Sequence, residues 1–324
     1  MHMKFCLIGC GDIAYTMHAP AYKAYQKKRP EFQLAACCDA QEDRAKAMQE
    51  SFGFARYYTN YHDMLRIEKP DAVAVAVSET AAVNVGVDVL RAGLPLLIEK
   101  PPGRQSCDTE RLIQAAMETN TPCQVAFNRR YMPVFTTMRA IAPEKIQLIT
   151  YDMVRCNRSD QKFSNTAVHA IDAVRYLANA DYRHVRFHYD EMPEYGPGVC
   201  NILMLCEMTS GAQAQIRICP MSGVTLERAA IHAENRLIAG YTPVWGAYDT
   251  PGRIEDFKNN QAPEIISFEH CPQFQSNGFL AENEAFFDAI IEGRRPLPSV
   301  ETSMNTMLVK ECLDRRAQEF HADA

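Results

Sequence analysis

The chain has 324 residues, of which 47% are hydrophobic and 23% charged, with a formal net charge of −6. That length suits two domains, each with its own apolar interior, while the mildly acidic balance argues against nucleic acid, whose phosphates demand concentrated Lys and Arg. No apolar stretch approaches the ~20 residues of a membrane helix, the run Phe5 to Ile8 is too short for a signal-peptide core, and twelve cysteines without a CxxC pair read as the reduced thiols of a cytoplasmic protein.

The first predicted element is a strand, Lys4 to Ile8, ending in Gly9-Cys10-Gly11-Asp12-Ile13-Ala14. This G-x-G-x-x-A follows a strand and opens a helix, the setting in which such a turn binds a dinucleotide. Gly9 permits the tight turn, Gly11 lets a pyrophosphate approach the backbone, and Ala14 lets helix and strand pack closely. The phosphates would sit over free N–H groups at the helix N-terminus. The basic run Lys27-Lys28-Arg29 falls at the end of that helix and complements its dipole. A second strand, Phe32 to Cys38, leads to Asp39, where a carboxylate accepts hydrogen bonds from the adenosine ribose hydroxyls. A carboxylate there repels a 2′-phosphate, so NAD is expected over NADP, although Arg44, a turn further on, softens that preference.

The alternation continues. Helices are predicted over 41–52 and 61–68, an almost wholly apolar strand over 71–77, a helix over 80–92 and a strand over 96–98. Glu99-Lys100-Pro101-Pro102-Gly103 follows, then a helix over 108–118 and a strand over 123–127. Strand and helix alternating in this way predict a doubly wound parallel sheet, with a Rossmann domain over 1–122 and a second domain over 123–324. The ligand crevice of such a sheet lies at the C-terminal strand ends, where Gly9 to Ala14, Asp39, Ser78, Glu99 and Lys100 all fall. Two prolines hold Lys100 in an extended turn there, and a partly desolvated lysine at that place has its pKa lowered and can exchange protons.

Beyond Asn128-Arg129-Arg130-Tyr131 the pattern changes. Strands are predicted over 146–155, 183–190, 199–207, 212–218 and 226–232, making the second domain α+β with a large, mostly antiparallel, open-faced sheet. One helix, over 166–177, is inserted early, and two more, over 278–292 and 300–320, are expected to pack back across the chain. Asn165, His169 and Asp172 stand at i, i+4 and i+7, so they share a helix face, and an amide or carboxylate can orient the imidazole toward a substrate hydroxyl. Arg155, Asn157 and Arg158 lie at a strand-to-loop transition, either selecting substrate or simply solvated. No metal is expected: His184 and His188, four apart on a strand, are about 13 Å apart, too far to share an ion.

In this order the motifs resemble the Gfo/Idh/MocA dehydrogenases, the glucose–fructose oxidoreductase and inositol dehydrogenase group. The resemblance rests on Gly9 to Ala14, Glu99-Lys100-Pro101, Asn128 to Tyr131, His169-x-x-Asp172, and the ending Glu282 to Glu292 with Pro296 and Pro298. It implies NAD(P)-dependent oxidation or reduction of a sugar, cyclitol or related carbinol, and a sheet that forms a homodimer or homotetramer. Lys100 and His169 would then be the proton donor and acceptor. Arg129 would hold substrate hydroxyls or a carboxylate, and Asp172 would also face the substrate. Where the family often shows D-x-G-x-H this chain has Asn165-x-Ala167-x-His169, so an amide replaces the acid and weight shifts onto Lys100. The family's Thr-Pro and His after the third strand are replaced by Ser78-Glu79-Thr80-Ala81-Ala82. Two other readings stay open: an NAD-binding sensor with little turnover, and a redox-neutral enzyme that keeps its NAD.

Overall fold

The apolar run at the start, six residues long, is buried at every position but Lys4 and becomes the central strand β1 (Met3–Ile8) of a parallel sheet. Its neighbours are β2 (Phe32–Cys38) on one side and β4 (Ala72–Val75) on the other. With β3 (Arg56–Tyr58), β5 (Leu96–Glu99) and β6 (Cys123–Ala126) the order is β3-β2-β1-β4-β5-β6, every pair parallel. This is the doubly wound order in which the connections reverse direction between β1 and β4, opening a crevice at the strands' C-terminal ends. The computed structural model describes residues 3–160 and 163–322.

Helices α1 (Ala19–Lys28), α2 (Glu42–Phe52), α3 (Tyr61–Glu68), α4 (Glu79–Arg91) and α5 (Ser106–Thr119) connect these strands. Their ends follow from local chemistry. Asn60 caps α3 by accepting from the His62 N–H at 2.9 Å, and Gly53, with φ 76°, closes α2 in the left-handed conformation. The helix after the glycine turn departs from simple expectation: Ala14–His18 is a π-helical segment, after which α1 runs on. Such bulges commonly mark functional sites.

The chain forms two compact units, 1–127 with 279–304, and 128–278 with 305–324. A division at residue 122 is therefore too early. The strand that follows it, β6, pairs with β5 and completes the first sheet. The first unit also takes back a late segment, helix α9 (Phe279–Ile291), which lies within 123–324 and was expected from sequence to pack back across the chain. The reason is aromatic packing. Phe287 is fully buried, with its ring centroid 5.0 Å from that of Phe5 and 4.5 Å from that of Phe32. Burying one such ring stabilises by roughly 1.5–3 kcal/mol.

The second unit is built on a nine-stranded sheet of order β14-β13-β12-β11-β7-β10-β9-β8-β15. In chain order these are β7 (Leu148–Val154), β8 (Tyr182–Glu191), β9 (Cys200–Met208), β10 (Gln213–Cys219), β11 (Leu226–Ala233), β12 (Arg236–Thr242), β13 (Arg253–Lys258), β14 (Glu264–Ser267) and β15 (Glu319–His321). All pairs are antiparallel except β10 with β7. Period-2 alternation decides the faces. Ile149, Tyr151 and Met153 of β7 are buried while Leu148, Thr150, Asp152 and Val154 stay half-exposed on the other side. Helices α6 (Pro133–Ile141) and α7 (Ser164–Ala178), with the short α8 (Gln273–Ser276) and α10 (Met304–Asp314), belong to this unit; Val174, Leu177 and Val309 join the sheet's buried residues in one core. The helix expected over 300–320 is shorter than that: it ends at Asp314, and Glu319–His321 is strand, pairing with β8.

Candidate active site

In the first unit the glycine turn shows why two of its residues are glycine. Gly9 has φ 97°, and a Cβ there would stand 2.3 Å from the backbone oxygen of Ala76, in the segment after β4. Gly11 is the opposite case: a Cβ there would meet nothing within 4 Å, so the backbone is approachable from outside. Ala14 is completely buried against the sheet, while Asp12 is exposed and Ile13 half-buried. Backbone N–H groups in the first turn of a helix lack intrahelical acceptors and favour anions. Among the described residues, this turn therefore fits a dinucleotide pyrophosphate.

Asp39, at the end of β2, is tied into the same turn. Its Oδ2 accepts the Cys10 N–H at 2.8 Å and its Oδ1 accepts the Gln41 N–H at 2.9 Å. The carboxylate is thereby aimed at the edge where an adenosine ribose would lie, with lone pairs left to accept hydroxyls. Arg44 is exposed in the first turn of α2, and Ser78 is exposed just before α4, its hydroxyl 2.9 Å from that of Thr80.

Glu99 and Lys100 close β5. Glu99 was expected to touch the cofactor, yet its carboxylate is engaged by the protein itself. Oε1 lies 2.6 Å from Nε2 of His18, and Oε2 accepts the Lys100 N–H at 3.0 Å. The other His18 nitrogen is 3.1 Å from Nδ2 of Asn283, and the ring is 2% exposed. This chain of Asn283, His18, Glu99 and the Lys100 backbone joins the π-helical segment to the lysine turn, where the Lys100–Pro101 peptide is cis. Sequence reasoning passed over His18 and Asn283. The available signal was a histidine two residues before Pro20, and its partners stand 81 and 265 residues away.

In the second unit, α7 carries Asn165, His169 and Asp172 on one stretch of helix. His169 is 6% exposed and Asp172 fully buried, while Asn165 is half-buried. Asp172 does not present a free carboxylate. Arg130 binds it through two parallel bonds, Nε to Oδ2 at 2.7 Å and Nη2 to Oδ1 at 2.8 Å, and Thr306 adds a third at 3.3 Å.

Arg129 also differs from expectation. It is 1% exposed, and its guanidinium fork grips Glu227, Nη2 to Oε1 at 2.9 Å and Nε to Oε2 at 3.2 Å. Tyr151 donates to the same Oε2 at 2.6 Å, and Arg155 closes on Oε1. Burial alone would raise the Glu227 carboxyl, but Arg129 and Arg155 outweigh it and hold it down at about 2. Tyr151, buried beside that carboxylate, is pushed well above its ordinary value. Arg129 is thus a buried structural cation, and the two sequence-adjacent arginines are each spent on an internal carboxylate. Of the three polar residues after β7, Arg155 belongs to this buried cluster and Arg158 pairs with Asp160 at 2.9 Å through Nε.

Residues 3–127 match the model of the GFO_IDH_MocA oxidoreductase family, NAD-binding Rossmann fold. The chain is 25% identical over 201 residues to an inositol 2-dehydrogenase of Salmonella paratyphi B, covering 57% of this chain and 59% of that one. A D-glucoside 3-dehydrogenase of Escherichia coli is 31% identical over 115 residues, covering 34% of this chain and 32% of that protein. The chain thus spans about 59% of the length of the curated inositol dehydrogenases it matches. In fold, a levoglucosan dehydrogenase solved in complex with NADH matches 99% of both chains with a TM-score of 0.85 at 16% identity. No helix among the described residues is long and apolar enough to cross a membrane.

Proposed function

We propose that this chain, which belongs through residues 3–127 to the Gfo/Idh/MocA oxidoreductases, is an NAD-dependent dehydrogenase acting on a secondary hydroxyl of a cyclitol, sugar or related polyol. The observation that carries this reading is the edge of the first sheet. There a glycine turn open above Gly11, a carboxylate at Asp39 hydrogen-bonded into that turn, and Lys100 held by Glu99 stand at the ends of β1, β2 and β5. The names of the relatives, dehydrogenases of inositol and of a glucoside, support the substrate class. We place the protein in the cytoplasm as a homodimer or homotetramer.

NAD, when bound, supplies the hydride acceptor. The residues of this chain do the rest. The backbone of Gly9 to Ala14 would hold the pyrophosphate and Asp39 the adenosine ribose. As hydride leaves the carbinol carbon, Lys100 as a neutral amine takes the hydroxyl proton and becomes ammonium; in the reverse direction it returns that proton to the alkoxide. His169, the other residue proposed to handle a hydroxyl proton, stands on α7 with Asn165 one turn before it. Glu99 accepts the Lys100 backbone N–H and so holds the turn that carries the lysine.

The test is absorbance of NADH on incubating the protein with NAD and a panel of cyclitols, hexopyranosides and sugar acids. Turnover of any of them supports the reading. Saturable NAD binding with no turnover across the panel overturns it in favour of an NAD-binding sensor, which the amide at Asn165 would suit. Cofactor choice has its own test. Asp39 opposes a 2′-phosphate, so calorimetric titration should give NAD at least tenfold tighter than NADP. Equal binding would remove Asp39 from the ribose site.

A further inference from the structure

The outward face of β8 carries His184 at the edge of the second sheet, and β15 adds itself there in a definite register. His321 lies directly opposite His184, Phe320 opposite Val185, and Glu319 opposite Arg186. Phe320 and Val185 are buried, so the pleat turns His321, Glu319 and His184 together to the other face. The two imidazoles stack with ring centroids 4.2 Å apart and planes 12° from parallel. Glu319 closes the group, its Oε2 3.2 Å from Nε2 of His321 and 3.8 Å from Nε2 of His184. One ligand atom from each of the three residues lies within 4.8 Å of the other two. Nε2 of His184 is also inaccessible and makes no hydrogen bond among the described residues, a state that costs a buried nitrogen about 1–3 kcal/mol.

We propose that His184, Glu319 and His321 bind a divalent transition ion, Zn2+ in the first instance, at the sheet edge. Two imidazoles and one carboxylate are a donor set that zinc takes, and a water completes the tetrahedron. Bond lengths of ~2.0–2.2 Å place donors in a zinc tetrahedron ~3.4 Å apart, so the group needs only a small closure of the rings about Glu319. The ion would join β15 to β8, tying down a three-residue edge strand that side-chain packing holds mainly through Phe320. This site is independent of the NAD chemistry. The sequence reading weighed His184 against His188 on the same strand, whereas here the second histidine comes from a strand 137 residues later in the chain, counted from His184 to His321.

The test is calorimetric titration of the full chain with Zn2+, repeated on His184→Phe, His321→Phe and Glu319→Gln. The phenylalanine variants keep an aromatic ring in the stack and remove both imidazole nitrogens, the ligating one included, and Glu319→Gln keeps a hydrogen-bonding oxygen but no charge. His321 is 65% exposed, so its replacement leaves the fold intact. Because Cys107, Cys156 and Cys271 are exposed thiols, Co2+ is titrated in parallel and its absorption recorded. The expected result is one ion per chain, a rise in melting temperature with Zn2+, affinity lowered on the order of 10- to 100-fold or more in each variant, and Co2+ d–d bands without thiolate charge transfer. No uptake, uptake unchanged in either phenylalanine variant, or a thiolate band would overturn the assignment.

Discussion

At the scale of single residues, the chemistry proposed for this protein depends most on Lys100, and less on His169. Glu99 and His18 fix the backbone on which Lys100 stands, so the lysine is positioned by a network in its own unit. His169 has an amide, Asn165, where an acid would stabilise its imidazolium. Lys100→Ala should therefore lower turnover by on the order of 10²–10⁴ while leaving NAD affinity nearly unchanged, and His169→Ala should cost less. Steady-state rates on a confirmed substrate, with NAD titrated separately, check this; equal parental rates in both variants would remove them from the proton path. Asn165→Asp should raise the rate or displace the pH optimum, because a carboxylate favours charged histidine. The glycine turn and Asp39 were legible in the sequence because strand, turn and carboxylate follow one another within about forty residues. His18 was not, since nothing within its own helix indicates a partner 81 positions away.

At the scale of elements, buried charge explains both what the sequence showed and what it hid. Strands β12 to β14, Arg236–Thr242, Arg253–Lys258 and Glu264–Ser267, escaped notice; each opens on a charge, and β13 mixes four charges into six strand positions. One of those charges, Asp256, is nearly buried and satisfied by a two-pronged pair with Arg236 on the neighbouring strand, at 2.9 and 2.8 Å. Polar residues inside a sheet read as loop until the partner strand is known. Arg129 failed the same way: a conspicuous arginine after β6 suggested substrate, and Glu227, 98 residues on, claims it. That cluster makes a definite prediction. Glu227→Gln leaves Arg129 and Arg155 buried without their counter-charge and should cost about 3–5 kcal/mol in denaturant unfolding. The pH dependence follows from the sign of the shift. The carboxyl is held at about 2 in the folded chain against an ordinary 4.5. Its contribution is therefore complete above about pH 4.5 and is lost as pH falls from there through about 2. Melting temperature should fall over that window in the parent and much less in Glu227→Gln.

At the scale of the whole molecule, the sequence showed the class of each sheet, while the division of the chain lay beyond it. Alternation of period 2 against period 3.6 is a local signal, so a parallel domain followed by a mainly antiparallel one could be read directly. That Phe286 and Phe287 return to the first core, with the chain crossing between units again near residue 304, depends on which apolar face needs them, and composition does not say. The face of the second sheet away from its helices carries the last prediction. Its outward positions include Leu148 and Val154 of β7, Leu203 and Leu205 of β9, and Leu226 and Ala230 of β11, all half-exposed in the single chain. Among them, Arg217 pairs with Asp152 at 2.5 and 2.7 Å, a neutralised pair that can be covered more cheaply than a lone charge. A broad, partly apolar sheet face of this kind favours association, and a two-fold copy of the same face satisfies it. Light scattering at micromolar concentration should give the mass of a dimer or larger. Leu205→Arg, placing a charge among those leucines, should shift that mass toward the monomer of 36.6 kDa without loss of NAD binding. A parent chain that is already monomeric would show that this face is exposed in solution and would leave the NAD site to act in a single copy.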